Sequence, residues 1–73
     1  MEKNWVCIYS TEDTFKAEIA KEVLFDNGIQ AVSINKKDSA YLFGLVELYV
    51  DQAHVIRGKH ILKDFDGQAL NDK

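Results

Sequence analysis

The chain has 73 residues, 47% of them hydrophobic and 29% charged, with a formal net charge of −3, four glycines, no proline and one cysteine. That length holds one domain, which buries only roughly 60–65% of its unfolded surface and so has a thin margin of stability. The acidic balance argues against a dedicated nucleic-acid or anionic-membrane binder, which carries an excess of Lys and Arg, although a local basic patch remains compatible with it.

Trp5 to Tyr9 is short, aromatic and apolar and reads as a strand. Alternation places Val6 and Ile8 on one face and Trp5, Cys7 and Tyr9 on the other. Ser10, Thr11, Glu12 and Asp13 supply N-cap oxygens and negative charge, so a helix starts there and runs to about Asn27. Ala17, Ala20, Val23 and Leu24 form its apolar stripe, widened by Phe15 and Ile19. Phe25 falls on the outer side with Glu18, Lys21 and Glu22. Gly28 closes the helix as a left-handed cap.

Ile29 to Asn35 reads as the second strand, with its inward parity open between Val32/Ile34 and Ile29/Ala31. Lys36 to Gly44 is a connection. Leu45 to Val50 is the third strand, with Val46, Leu48 and Val50 on one face and Leu45, Glu47 and Tyr49 on the other. Asp51 can cap a second helix to about Phe65, with Val55, Gly58, Leu62 and Phe65 inward and Ile61 beside them. A helical glycine costs about 1 kcal/mol against alanine. Gly58 in the middle of that stripe therefore points to a close approach. The tail from Asp66 is polar and expected to fray.

The order is β-α-β-β-α. A right-handed crossover with the third strand between the first two gives an antiparallel sheet in the order 1-3-2, both helices on one face. This is an α+β, ferredoxin-like plan without its last strand, in a single domain with a structured core of about residues 4–65.

The first strand ending in Tyr9-Ser10, the helix Ala17-Glu18-Ile19-Ala20 through Leu24 closing in Gly28-Ile29, and Gly44-Leu45-Val46-Glu47-Leu48-Tyr49-Val50 carry a resemblance. Over roughly residues 5 to 63 the chain resembles the small bacterial family of unknown function labelled putative prokaryotic signal-transducing proteins, often grouped by fold with the nitrogen-regulatory P-II proteins. The resemblance implies a ferredoxin-like fold and a regulatory, non-enzymatic role. It does not extend to P-II nucleotide binding, because Lys36 to Gly44 is much shorter than the long P-II loop.

No catalytic constellation appears. His54 and His60 lie about 240° apart around a helix and cannot share a metal. Cys7 has no neighbour at ligand spacing and nothing nearby to lower its pKa. The loop after the first strand lacks the arginine that acylphosphatases of this fold plan use there; the single arginine, Arg57, is on the second helix. Glycine-rich phosphate loops are absent. The expectation is no enzyme, no cofactor and no metal.

The surface expected to act is the sheet face away from the helices: Trp5, Cys7, Tyr9, Leu45, Glu47 and Tyr49, with Phe25, exposed on the outer side of the first helix, as an added candidate. An apolar-aromatic patch of that kind marks an interface unless the polar tail folds over it. Lys36, Lys37 and Tyr41 form a candidate contact loop, and Arg57, Lys59 and Lys63 read as solvated helix charges. The leading expectation is a binding module that self-associates and docks on a protein or small ligand. Dimerisation is expected through the first strand, which has no charge, proline or bulge to blunt it, or through the open face. The alternatives are a single-stranded RNA or DNA binder that stacks bases on Trp5, Tyr9 and Tyr49, disfavoured by net charge and Glu47, and a purely structural accessory domain. The lone cysteine suits a reducing compartment. Met1-Glu2-Lys3-Asn4 holds no apolar signal core and no apolar run approaches membrane-spanning length, so a cytoplasmic location with no membrane partner is expected.

Overall fold

The computed structural model describes residues 4–36 and 45–70, with side chains described for all of these except 66–70. Strand β1 (Trp5–Thr11) leads to helix α1 (Thr14–Asp26), followed by β2 (Ala31–Asn35), β3 (Val46–Asp51), a 3-10 turn (Gln52–His54) and helix α2 (Val55–Leu70). The sheet order is β1-β3-β2, with β3 antiparallel to both neighbours. This is the expected ferredoxin-like α+β arrangement.

Local chemistry sets the ends of the helices. The Asp13 carboxylate accepts from the backbone N–H of Phe15 and Lys16 at 3.0 and 3.2 Å, satisfying two of the free donors of the first turn. At the other end Gly28, at φ +81°, adopts the left-handed conformation that glycine tolerates best. The N–H of Ile29 then bonds the Leu24 carbonyl and the N–H of Gly28 bonds that of Phe25, both at 2.9 Å. Leu24 and Ile29, which bracket this Schellman turn, are both fully buried. Asp51 caps the 3-10 turn by accepting from Ala53 N–H at 2.8 Å.

The core lies between the helices and one sheet face. Ala20, Leu24, Ile29, Ala31, Leu48, Val50 and Leu62 form it, with Ile8, Tyr9, Val55, Ile61 and Phe65 packed around it. Burial of a Leu-, Ile- or Val-sized side chain contributes about 1.5–3 kcal/mol, so Leu24, Ile29, Leu48 and Val50 supply much of the cohesion.

Three features differ from the sequence expectation. First, β1 is not a regular strand. Cys7 pairs with Tyr49 and Tyr9 with Leu48, leaving Ile8 as the extra residue of a β-bulge. The bulge shifts the alternation, so Tyr9 leaves the open face and packs toward the helices, its ring edge-on to Phe65 at 6.3 Å. Second, the stripe of α1 is narrower than read: Ala17, Ala20 and Leu24 are buried, whereas Phe15 is 73% and Ile19 36% exposed. Third, α2 continues past Phe65 to Leu70, so the chain from Asp66 to Leu70 extends the helix instead of fraying or folding back over the sheet.

Candidate functional site: the open sheet face

Pairing in register decides which side chains share the open face. Trp5 stands opposite Asp51, Cys7 opposite Tyr49, and Ser10 opposite Glu47 on the β1 side. On the other side Val32 stands opposite Tyr49 and Ile34 opposite Glu47. Val46, Leu48 and Val50 are buried toward the helices, so the intervening Glu47, Tyr49 and Asp51 point the opposite way, and Leu45 continues that parity. The parity of β2 is thereby resolved: Ala31 and Ser33 face the helices, and Val32 and Ile34 face outward.

One polar string crosses this apolar-aromatic platform. The Tyr49 hydroxyl donates to Glu47 Oε1 at 2.8 Å, and Lys36 Nζ lies 3.4 Å from the same oxygen. The Glu47 side chain is 20% exposed and that of Lys36 53%, so Lys36 neutralises a carboxylate largely covered by its neighbours. An ion pair with one arm in water contributes at most about 1 kcal/mol. Its weight lies in fixing the acceptor for Tyr49. The hydrogen bond to Glu47 holds the Tyr49 phenol above its ordinary pKa, with smaller contributions from burial and from the charges of Glu47 and Cys7. The Cys7 thiol is exposed beside this string.

Of the residues expected to form the surface, the fold brings together Trp5, Cys7, Leu45, Glu47 and Tyr49. It does not bring Tyr9 there, because of the bulge. Phe25 is 69% exposed as expected, but on α1, away from this face. Lys36 of the candidate loop joins the platform through Glu47, while Lys37 and Tyr41 lie outside the described residues. Val32 and Ile34 were the undecided members. The signal that could have placed them is Ala31 and Ser33, whose small side chains suit the close approach of α1. Arg57 is engaged as well as solvated: its guanidinium Nη2 donates to the Asn27 carbonyl at 2.8 Å, tying α2 to the end of α1. No three His, Cys, Asp or Glu side chains among the described residues converge into a metal-ligand set.

A second surface, of mixed apolar and charged side chains, runs along α1 beside β2. Phe15, Ile19 and Phe25, with Glu18, Lys21, Glu22, Gln30 and Ala31, line a groove of about 550 Å³.

The element order, the β1-β3-β2 sheet and the single helical layer define a ferredoxin-like α+β domain. The sequence model of the family described as "putative prokaryotic signal transducing protein" matches residues 5–66, most of the chain, and the chain belongs to that family. No curated protein and no solved structure matches it. No helix among the described residues is long and apolar enough to cross a membrane.

Proposed function

We propose that the protein is a non-catalytic, cytoplasmic binding module of signal transduction that docks a protein partner on the open face of its sheet. The carrying observation is the one-sided architecture. Both helices cover one face, while Trp5, Val32, Ile34, Leu45 and Tyr49 share the other with one internally neutralised polar string. Apolar groups in a contiguous patch favour a surface that removes them from water, and a flat sheet fits another protein better than an enclosed small molecule. The Lys36–Glu47 pair asks of the partner a polar group within reach of each charge, and no net charge of either sign.

The nucleic-acid reading has less support. Tyr9, one of its three stacking rings, points toward the helices against Phe65, and a carboxylate occupies the middle of the face. Stacking modules rely on clustered aromatics and a positive groove.

Cys7, the only cysteine, lies exposed on this face and gives a direct test. A photo-crosslinker attached at Cys7 should trap a discrete protein adduct in cells. The same group at a cysteine introduced at Lys63, in a Cys7→Ser background, should not. Ile34→Asp should abolish the adduct while leaving the circular dichroism unchanged. Equal adducts from both positions, or tight binding of single-stranded oligonucleotides in low salt, would overturn the proposal.

A further inference from the structure

Among the described residues the sheet leaves two edges unpaired, β1 and β2, and they are not alike. β1 carries the Ile8 bulge, which interrupts its outer row of backbone groups. β2 pairs with β3 in unbroken register from Ala31 to Asn35 and contains no charge, proline or bulge in that span. Proteins blunt edge strands with such devices, so β2 is the unprotected edge.

Backbone parity shows what that edge presents. The Lys36 N–H donates to the Leu45 carbonyl at 2.8 Å. In an antiparallel ladder, bonded residues alternate, so Ile34 and Val32 also direct their backbone groups to β3. Ala31 and Ser33 then direct their N–H and C=O away from the sheet.

The groove beside that edge is mixed: Phe15, Ile19 and Phe25 line it together with Glu18, Lys21 and Glu22. α1 lies on the β2 side of the helical layer and α2 on the β1 side. Phe15, 73% exposed, and Phe25, 69% exposed, flank Ile19 on the stripe of α1 that overlooks β2. A single exposed ring is ordinary; two rings on one stripe above an unprotected edge give it two apolar anchors, with charged side chains between them.

We propose that a second copy of this chain covers it, giving a two-fold dimer in which β2 pairs antiparallel with its counterpart and α1 packs against the partner's α1. Three observations select this occupant. The outward donors and acceptors of Ala31 and Ser33 complement themselves under a two-fold rotation, as an isologous contact requires. α1 packs on both β2 and β3; with strands about 4.8 Å apart, a helix seated between those two strands comes about two spacings from its mate, which is the usual 8–10 Å of packed helices. The charges of the stripe are mixed, Glu18 and Glu22 with Lys21 between them, so antiparallel helices can set an acid of one copy beside Lys21 of the other. A strongly charged partner would find no such match. Covering the two phenylalanines removes on the order of 300 Å² per copy, a large part of the ~800 Å² per partner of a standard interface. The product is a six-stranded sheet with both docking faces on one side. The proposal does not rest on the docking reading, because the β2 edge and the α1 stripe lie off the open face.

Sedimentation equilibrium on the full chain should give twice the monomer mass. Phe15→Lys and Phe25→Lys change exposed side chains and leave the protomer folded; each should raise the dimer dissociation constant at least ~10-fold. Ser33→Pro removes an outward N–H and should act likewise, whereas Ser33→Ala, which changes the inward side chain and keeps the N–H, should leave the dimer intact. Retained circular dichroism in each variant guards against simple unfolding. A monomer at high micromolar concentration overturns the proposal. So does a dimer that survives both lysine substitutions and Ser33→Pro, or one dissolved by Trp5→Ser and not by them. Loss of the Cys7 adduct with the dimer intact would instead count against the docking face alone.

Discussion

Ile8 and Gly58 share one space. A Cβ built on Gly58 would lie 2.8 Å from Ile8 Cδ1 and 3.7 Å from Leu24 Cδ2. The bulge turns Ile8 toward α2, and the missing side chain of Gly58 receives it. Two effects compete in Gly58→Ala: helix propensity and a stiffer unfolded chain favour alanine by about 1 kcal/mol, and overpacking opposes it by about 1–3 kcal/mol. The nearest atom is a terminal methyl, so the single variant should fall within about 1 kcal/mol of wild type on the unstable side. Gly58→Leu should lose about 3 kcal/mol. Removing the offending methyl with Ile8→Val should make Gly58→Ala stabilising in that background, a coupling read from a urea double-mutant cycle. Strict additivity would show that the two positions do not compete for space. Tyr49 gives a pH signature. Its phenol pKa is raised above 10.0 in the folded state by the hydrogen bond to Glu47. The neutral phenol is therefore favoured by folding. That contribution is complete below the unfolded pKa and is lost as pH rises through the higher folded value. Unfolding free energy should fall on the alkaline side in wild type and less steeply in Tyr49→Phe. Parallel curves above pH 10 would count against the Glu47 bond.

The helix ends carry a second group of effects. Asp13→Ala removes the acceptor for two N–H groups and should cost about 1 kcal/mol. Gly28→Ala forces a Cβ into the left-handed region and should cost about 1–2 kcal/mol, although nothing crowds the site. Arg57→Ala removes the positive donor at the carbonyl end of α1 and should lower stability by about 0.5–1 kcal/mol, with high salt narrowing the difference. Thermal and urea unfolding check all three; an Arg57→Ala protein as stable as wild type would show that the α1–α2 tie is cosmetic. These capping residues were legible because caps are local chemistry: Asp13, Gly28 and Asp51 act within a few residues of themselves. The strand order was legible for a similar reason, since crossover handedness leaves few topologies. The bulge was not. Alternation assumes one residue per pleat, and Trp5-Val6-Cys7-Ile8-Tyr9 reads as an unbroken strand until Gly58 on α2 makes room for an extra side chain. With the bulge went the placement of Tyr9 and the premise that β1 is the unblunted edge. The width of the α1 stripe failed differently. Ala17, Ala20 and Ala31 let helix and strand approach closely, and that closeness leaves Phe15 and Ile19 outside the buried strip.

The described molecule is one layer of helices on one layer of sheet, with Cα extents of 37 × 33 × 15 Å. A slab so thin has a single core, and any further burial must come from its open face or its edges. The β2 seam adds burial sideways and leaves the open face for a partner. That division yields a prediction in which two signals separate. Folding coupled to dimerisation makes stability depend on concentration by mass action, so the melting temperature should rise by roughly a few degrees per tenfold increase in protein. Trp5, the only tryptophan, stands at the far edge of the sheet, with β3 between its strand and β2. Dilution through the dimer dissociation constant should therefore halve the mass while the Trp5 emission maximum stays in place. Had the copies met through β1 or through the open face, opening the interface would expose Trp5 and shift its emission to the red in step with the mass. Sedimentation and fluorescence across one dilution series decide between these seams. A red shift that tracks dissociation would move the dimer contact to Trp5 and away from Phe15, Phe25 and Ser33.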